Sequence, residues 1–597
     1  MSNFELEPLF HIESTINAKR LYRLTNNRSV TRELEIAQKD LVSLSAFKTK
    51  VESFGIFLFT GSDSDLNKIK AYLYEHTKTC REVEQLGWQK EGFWAWSNGV
   101  IDDSGELRNI DELGSVEVNK QWYYLPALSS FFKADTQLFQ FERRFIHTPG
   151  RADIYTLASK MLDVYGDNAI VGLGYYMTTL FRDVVFHKFN HFPILNLFGE
   201  RGSGKTEMAI TLMQLFGNQG SGPNINTATI PAVADHLSHC RNAMVHLEEY
   251  KNSMEYEKIE ILKGAFDGIG RSRMNMDRDK KKEMVPVDCG IILTGQESTT
   301  ADNALFTRVI YLTVKKRVHT DEETEAYNDL KRYEKEGLTC ITNEMLTLRD
   351  YVLANYEKQL ANTEEEIRQA VNTKSMEDRI LISWKMVLAM LRTIGEKVQL
   401  PWKYEDAVAV FAKGMEQQQE AVTESNAVAQ FWSVVETLLT NGDIETNYDL
   451  KLYFGKMGVK CYKGSGASRR EIEYSQTLDV VYLNRSRVFS LYAKQMKATQ
   501  NNKAQTADTD SMIRILTAQD EYMGECVKQF RVPTRLRDNP AEGKSFTESG
   551  TQMTALQKAN RSLVFNYAKL VEQYGIDLNV KSNVDDDSEL NNIEKPY

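Results

Sequence analysis

The sequence predicts an α/β fold with an N-terminal α+β domain and a mostly helical C-terminal region, and three observations support this class. Between residues 192 and 314, apolar strands alternate with helical patterns, an order typical of a sheet with helices packed on it. Residues 320–372 are rich in Glu, Lys and Leu and predict solvated helices, and residues 374–424 continue the helical pattern. The 597-residue chain is 42% hydrophobic, which is ordinary for a globular protein and excludes disorder along its whole length.

Charge, cysteine spacing and apolar stretches exclude several classes of protein. The chain has 73 basic and 83 acidic residues, a net charge of −10, which argues against a wholly basic nucleic-acid binder. A nucleic-acid binder with one local basic channel remains compatible with this balance. The six cysteines show no C-x-x-C spacing and are scattered, which argues against a zinc ribbon and is typical of a cytoplasmic protein. The longest apolar stretch, 380–394, is interrupted by charged residues, and the N-terminus lacks signal-peptide features, so we expect no membrane segment.

Composition and pattern divide the chain into five segments. We expect an N-terminal α+β domain over 1–150, a central α/β domain over 151–320 and a helical region over 321–424. Residues 425–490 run helix, polar loop, basic segment, strand and helix, a pattern compatible with a winged-helix module that binds DNA. Residues 491–597 are predicted to be helical, with a disordered acidic tail from Asn583.

Two features of the N-terminal segment bear on its role. The run 55–59 predicts a strand that is followed by a capped helix over 66–74. Trp88, Trp94, Trp96 and Trp122 could stack on bases, but the core of a small sheet is the favoured interpretation.

The strongest motif follows the apolar strand 194–198 and precedes a helical pattern over 207–216. It matches G-x-x-x-x-G-K-[ST] in full and comprises Gly199, Glu200, Arg201, Gly202, Ser203, Gly204, Lys205 and Thr206. Glycines let successive backbone N–H groups point at phosphate oxygens, and the helix N-terminus adds positive potential. Lys205 is expected to contact the β- and γ-phosphates of ATP, and the Thr206 hydroxyl to bind Mg²⁺. The alternative, an accidental glycine-rich turn, is disfavoured by the flanking strand and helix.

A second strand, 243–247, ends in two adjacent acids, Glu248 and Glu249. In this position the first acid usually holds Mg²⁺ and the second polarises the attacking water, which favours hydrolysis over binding alone. A surface turn is the alternative. His246 in the same strand is interpreted as a packed histidine.

A basic stretch separates this strand from a third strand, 290–294. Alternation over 271–276 predicts one arm of a β-hairpin, with a turn at 277–280. The cluster invites contacts with a phosphate backbone, although a solvated hairpin tip would have the same composition.

The order of these motifs resembles the superfamily 3 helicases, an AAA+ class used by small DNA viruses, phages and plasmids. The residues that carry the resemblance are Leu262-Lys263-Gly264-Ala265-Phe266-Asp267-Gly268, the hairpin Asp277-Arg278-Asp279-Lys280-Lys281, Thr294-Gly295-Gln296, and Leu305-Phe306-Thr307-Arg308-Val309. The chain is also similar to the helicase part of primase-helicase proteins from phages and bacterial mobile elements, on the phrases GERGSGKTEM, HLEEYKN and DGIGRSRMNMD.

The resemblance implies an ATP-dependent DNA helicase that acts as a ring, with a homo-hexamer expected. It implies that Gln296 orients the attacking water, that Arg308 completes the site of a neighbouring subunit, and that single-stranded or forked DNA is the substrate. It also implies that the hairpin residues Arg278, Lys280, Lys281 and Lys282 contact DNA. Gln296 stands where the family usually has asparagine, and Glu248 where it usually has aspartate. No cysteine cluster for a zinc-binding primase domain is present, so a primase would be a separate partner.

Two rival functions stay open at this point. A non-helicase AAA+ ATPase could act as a regulatory or defence switch that binds DNA or protein without unwinding. A P-loop kinase for small molecules is disfavoured by the paired acids, the basic hairpin and the arginine.

Overall fold

The computed structural model describes residues 2–13, 18–102, 105–252, 254–274, 282–297, 299–316, 320–373, 376–464, 469–499, 509–531 and 557–579. The chain is a mixed α/β protein with several sheets. It divides into two compact units. The first comprises residues 1–299 and 304–419, and the second comprises 300–303 and 420–597. Among the described residues, no helix has the length and apolar character needed to cross a membrane.

The N-terminal part of the first unit contains two sheets. Its elements are β1 (Phe4–Glu13), β2 (Lys19–Asn26), β3 (Thr31–Ala37), α1 (Gln38–Val42), α2 (Leu44–Glu52), α3 (Asp63–His76), β4 (Lys78–Glu82), β5 (Leu86–Gln89), β6 (Phe93–Trp96), β7 (Gly99–Ile101), β8 (Leu107–Asn109), β9 (Ser115–Val118) and β10 (Gln121–Tyr124). One sheet has the order β3-β2-β1-β4-β10-β9, and the strands β5, β6, β7 and β8 belong to the other. A capping box between Ser62 and Asp65 starts α3, as predicted. The strand predicted over 55–59 is wrong, since only one isolated bridge, between Ser2 and Phe59, forms there.

The tryptophans of this region belong to its core. Trp94 and Trp96 are fully buried, and Trp88 and Trp122 are partly buried. Trp96 Nε1 donates a hydrogen bond of 2.8 Å to the carbonyl of Phe216. The core interpretation is therefore confirmed for Trp94 and Trp96, because a fully buried ring has no face left for a base.

The central part of the first unit is a parallel sheet with helices. Its elements are α4 (Ile154–Tyr165), α5 (Asp167–Leu180), α6 (Arg182–Phe189), β11 (Ile194–Phe198), α7 (Lys205–Leu215), α8 (Ile230–His236), β12 (Cys240–Arg241), β13 (Met244–Tyr250), α9 (Tyr256–Phe266), β14 (Ile269–Met274), β15 (Lys282–Pro286), β16 (Gly290–Gly295), α10 (Asn303–Phe306) and β17 (Val309–Thr313). Helix α5 is buried along nearly its whole length. The boundary expected at residue 150 does not divide this unit, because β12 pairs with β5 and extends the second N-terminal sheet.

Helices follow the parallel sheet. They are α11 (Asp321–Glu336), α12 (Thr339–Leu346), α13 (Arg349–Ala370), α14 (Asp378–Gly395) and α15 (Tyr404–Thr440). A capping box between Thr320 and Glu323 starts α11. The apolar stretch 380–394 lies in α14, whose buried residues include Trp384 and Leu388.

The second unit is built on an antiparallel sheet. Its elements after α15 are β18 (Leu450–Lys456), β19 (Val459–Lys463), β20 (Arg470–Tyr474), β21 (Leu478–Asn484), α16 (Arg485–Thr499), α17 (Thr509–Ala518), β22 (Tyr522–Arg531), β23 (Gln557–Asn566) and α18 (Tyr567–Tyr574). The strand order is β18-β21-β23-β22-β19-β20.

This sheet corrects two expectations about the C-terminal part of the chain. The mostly helical region expected over 491–597 contains β22 and β23, which pair along ten-residue strands. The strands inside 425–490 are joined by β22 and β23 into one sheet, so that segment is not a separate winged-helix module. Cross-strand packing decides this, since a strand's partner far along the chain leaves no local signal. The acidic tail from Asn583 lies outside the described residues.

Candidate functional site

The parallel sheet brings the predicted site residues to a common edge. Its strand order is β13-β16-β11-β17, and every pairing is parallel. The strands therefore end at one edge, here called the carboxyl edge, and begin at the opposite amino edge. The acidic strand β13 is separated from the loop-bearing strand β11 by β16, so residues after three strands converge on the carboxyl edge.

The glycine-rich loop 199–204 turns tightly between β11 and α7. Gly202 and Gly204 have φ angles of 78° and 92°, which L side chains rarely adopt. Gly199 is held close to the chain that follows β17, since a Cβ there would lie 2.1 Å from the Val314 carbonyl oxygen. The helix α7 begins at Lys205, so its free N–H groups and positive dipole end face the loop.

Lys205 and Ser203 supply polar groups inside this loop. Lys205 is only 8% exposed, and its Nζ donates a hydrogen bond of 3.2 Å to the Glu200 carbonyl. Burial lowers the pKa of Lys205, and the charge of Glu249 opposes that shift, which indicates that the two side chains interact across the edge. The Ser203 hydroxyl oxygen is buried and has no hydrogen-bond partner among the described residues. These groups suit a phosphate chain, which accepts hydrogen bonds from an ammonium, a hydroxyl and backbone N–H groups.

The paired acids lie at the end of β13, where the ladder is interrupted. The pairing of β13 with β16 skips from Leu247 to Tyr250, so Glu248 and Glu249 form an irregularity. Glu249 has a φ of 61°, which is uncommon for a residue with a side chain. Asn226 holds this conformation by donating its side-chain N–H to the Glu249 carbonyl. Such irregularities re-aim side chains next to active sites.

The electrostatics of the two acids suit a divalent cation. Burial raises the pKa of Glu248, and the adjacent charge of Glu249 raises it further. A cation between these carboxylates and Thr206 would relieve that repulsion. The described residues contain no group of three or more His, Cys, Asp or Glu side chains that could hold a metal ion by themselves. Two carboxylates would leave the rest of the coordination of a cation such as Mg²⁺ to water and substrate phosphates.

His246 braces the acidic strand as a neutral ring. It is fully buried, and its Nε2 lies 2.9 Å from the Thr294 hydroxyl of β16. Its Nδ1 lies 3.7 Å from Glu248 Oε1. Burial lowers the pKa of His246 to about 3, and the neighbouring His236 also disfavours the charged ring. The pair with Glu248 is therefore not an ion pair at neutral pH, and the interpretation of His246 as a packed histidine holds.

Gln296 and Arg308 lie at opposite edges. Gln296 follows Gly295, which pairs with Phe198, so the exposed Gln296 lies at the carboxyl edge beside the loop. Arg308 precedes Val309, which pairs with Ile194 at the start of β11. The five residues of β17 separate the two edges by about 16 Å at 3.3 Å per residue. Arg308 is therefore at the amino edge, away from the loop.

At the amino edge, Arg308 is held by the elements around it. Its Nη1 donates a hydrogen bond of 2.6 Å to the Ala304 carbonyl, and its guanidinium lies 5.5 Å from the centroid of the Phe266 ring. The side chain thus has a defined position between α10 and the end of α9.

The predicted DNA hairpin has its two arms in β14 and β15, which pair antiparallel. Lys282 is the first residue of β15 and pairs with Met274. The turn residues 275–281, including Arg278, Lys280 and Lys281, lie outside the described residues, so their role stays a prediction.

Sequence reasoning did not select Asn226, which contacts Glu249. Asn226 lies in an irregular segment 23 positions before Glu249. Its own carbonyl accepts a hydrogen bond of 2.9 Å from Lys258 Nζ of α9. No motif marks this contact in the sequence, because the two residues meet only through the fold.

Comparisons with known proteins give structural neighbours only. No family model matches the chain, and no curated protein matches it either. An active helicase described as Cch of SCCmec type IV has 12% identity and a TM-score of 0.47, over 96% of this chain and 94% of that chain. The NrS-1 C-terminal region has 11% identity and a TM-score of 0.25, over 66% of this chain and 89% of that chain. JCV helicase, bound to a thiazolopyridine compound, has 15% identity and a TM-score of 0.18, over 43% of this chain and 70% of that chain. Two of these three neighbours are named as helicases.

Proposed function

We propose that this chain is an ATP-dependent DNA helicase of the AAA+, superfamily 3 type, working as a ring. The observation that carries the proposal is the division of site residues between the two edges of one parallel sheet. Lys205, Thr206, Glu248, Glu249 and Gln296 gather at the carboxyl edge, while Arg308 lies at the amino edge.

Each residue at the carboxyl edge has a role in hydrolysis. The loop's N–H groups and Lys205 bind and orient the β- and γ-phosphates of ATP. Thr206 and Glu248 would hold Mg²⁺, which when bound neutralises charge on the phosphates. Glu249 accepts a proton from the attacking water, and Gln296 orients that water through its amide.

The position of Arg308 supports assembly into a ring. An arginine that stabilises charge on the transferred phosphoryl group must contact it, and Arg308 lies at the edge of the sheet opposite the loop, one strand length of about 16 Å away. A head-to-tail interface would place the amino edge of one subunit against the carboxyl edge of the next. A closed ring, with six subunits expected, gives every site one arginine from a neighbour.

The decisive experiment measures strand displacement on a forked DNA duplex with ATP and Mg²⁺. Wild-type protein should displace the strand, and Lys205→Ala should neither hydrolyse ATP nor unwind. ATP hydrolysis without displacement under any fork geometry would instead favour the ATPase switch.

The matched variant for the chemical step is Glu249→Gln. It keeps the size of the side chain but replaces the basic carboxylate with a neutral amide, so ATP should bind while turnover falls by about 10²-fold or more. Nucleotide binding is measured by fluorescence with a labelled analogue, and turnover by phosphate release. Wild-type turnover in this variant would show that Glu249 is not the base.

A further inference from the structure

The antiparallel sheet of the second unit has two unlike faces. One face packs on the helices of its unit through a large apolar cluster that includes Leu450, Val481, Leu483 and Phe565. The opposite face has a smaller apolar cluster around Val480 and Tyr482. Lysines from two non-adjacent strands, β18 and β22, border this smaller cluster. We call Lys451, Lys456 and Lys528, with Tyr453 and Tyr482, the basic face.

Two lysines of the basic face share the same aromatic rings. Lys456 Nζ lies 4.3 Å from the centroid of Tyr453 and 5.8 Å from that of Tyr482. Lys528 Nζ lies 4.8 Å and 4.7 Å from the same two centroids. The rings stand edge to face at 5.6 Å and 84°. The two ammonium groups are therefore no more than about 9 Å apart.

These cations repel one another and have no acidic partner in the described part of the chain. Burial lowers the pKa of Lys456, and the charge of Lys528 lowers it further. Burial also lowers the pKa of Lys451, followed by the charges of Lys528, Arg531 and Lys456. Other cations of the unit do form ion pairs, such as Lys460 with Glu473 at 3.3 Å and Arg487 with Asp449 at 3.0 Å. A cluster of like charges in a chain of net charge −10 indicates a site for an anion.

The chemistry of the face selects the kind of anion. A single-stranded nucleic acid presents phosphates in sequence and bases that stack on aromatic rings. Tyr453 is only partly buried, and its ring lies beside both ammonium groups. An acidic polypeptide would use the charges but would gain nothing from the ring.

We propose that the basic face of the second unit binds the backbone of single-stranded DNA, with Lys456 and Lys528 on phosphates and Tyr453 against a base. The identity of the strand rests on the proposed function. The face lies in the second unit, whereas β14 and β15, the arms of the predicted DNA hairpin, lie in the first.

The test uses the full chain and a fluorescein-labelled oligothymidine, with binding followed by anisotropy at several salt concentrations and no ATP. Each phosphate contact contributes about 0.7 to the slope of log K against log salt. The pair Lys456→Gln and Lys528→Gln should therefore reduce the slope by about 1.4, and the affinity by about 25-fold at 0.1 M salt. An unchanged slope and affinity would overturn the proposal.

Three further variants separate charge, ring and fold. Lys460→Gln removes a lysine that already pairs with Glu473, and should leave the slope unchanged. Lys456→Arg with Lys528→Arg keeps both charges and should retain the slope. Tyr453→Leu should weaken binding by about fivefold or more with little change in the slope, because the aromatic ring is lost while both lysine charges remain. If the double glutamine variant does not fold, Lys528→Gln alone should lower the slope by about 0.7.

The DNA-binding test of the basic face does not depend on whether the site in the first unit hydrolyses ATP. The glutamine pair should keep wild-type ATP hydrolysis without DNA, since the loop and the acids lie in the first unit. A wild-type chain that binds the oligonucleotide through these lysines but does not hydrolyse ATP would refute the proposed function and uphold this face. The proposal that the basic face binds single-stranded DNA would be overturned if polyglutamate displaced the labelled oligothymidine as effectively as unlabelled oligothymidine at equal charge.

Discussion

Arg308 provides a test of how the subunits cooperate. Alone, Arg308→Ala should lower ATP turnover by about 10³-fold or more, because the charge that develops on the transferred phosphoryl group loses its partner. Lys205→Ala should be equally inactive, because its own loop no longer holds the phosphates. Neither loss by itself distinguishes a residue that acts in its own subunit from one that acts on a neighbour.

Mixing the two variants makes that distinction. A competent interface needs an intact Lys205 on one side and an intact Arg308 on the other. In randomly mixed rings at equal amounts, about one interface in four meets this condition, so about a quarter of wild-type turnover should return. If Arg308 acted within its own subunit, every subunit would carry one defect and no activity would return.

The assay is phosphate release after the two variants are mixed, dissociated and reassembled, with ring formation checked by native mass spectrometry. The control mixes Arg308→Ala with the double variant Lys205→Ala and Arg308→Ala, which contains no intact arginine and should stay inactive. Mixed rings that assemble normally and remain inactive would refute the assignment of Arg308 to the ATP site of a neighbouring subunit.

Two other predictions follow from the site's geometry. Gly199→Ala should destabilise the protein by about 1–3 kcal/mol and weaken ATP binding, because the new Cβ would meet the Val314 carbonyl oxygen at 2.1 Å; Gly395→Ala, which meets nothing within 4 Å, is the matched control in thermal melts. Acid should destabilise the fold through His246. The pKa of His246 is about 3 in the folded protein and 6.5 in the unfolded chain, so the unfolded chain binds more protons between these values. Stability is therefore lost as the pH falls from 6.5 towards 3. His246→Gln should remove about 2 kcal/mol of the stability difference between pH 7 and pH 5, measured by urea unfolding, and an unchanged difference would contradict the buried neutral ring.

The sequence alone determined the local chemistry of the site. The loop 199–206, the acids Glu248 and Glu249, and the strands around them were predicted, because each is a short-range pattern of glycine, charge and apolar residues. The capped start of α3 was also local, since Ser62 and Asp65 are three residues apart. The hairpin arms β14 and β15 followed from alternation over adjacent residues.

Only the tertiary structure decided what lies far apart along the chain. Strand order places β16 between β11 and β13 and sends Arg308 to the amino edge, and the contact of Asn226 with Glu249 depends on that arrangement. Strands β22 and β23 lie in a region that was predicted to be helical, because their partners β19 and β21 lie far back in the sequence and cross-strand packing outweighs local preference. The basic face exists for the same reason, since Lys456 and Lys528 are 72 positions apart in the sequence and meet only on the rings of Tyr453 and Tyr482.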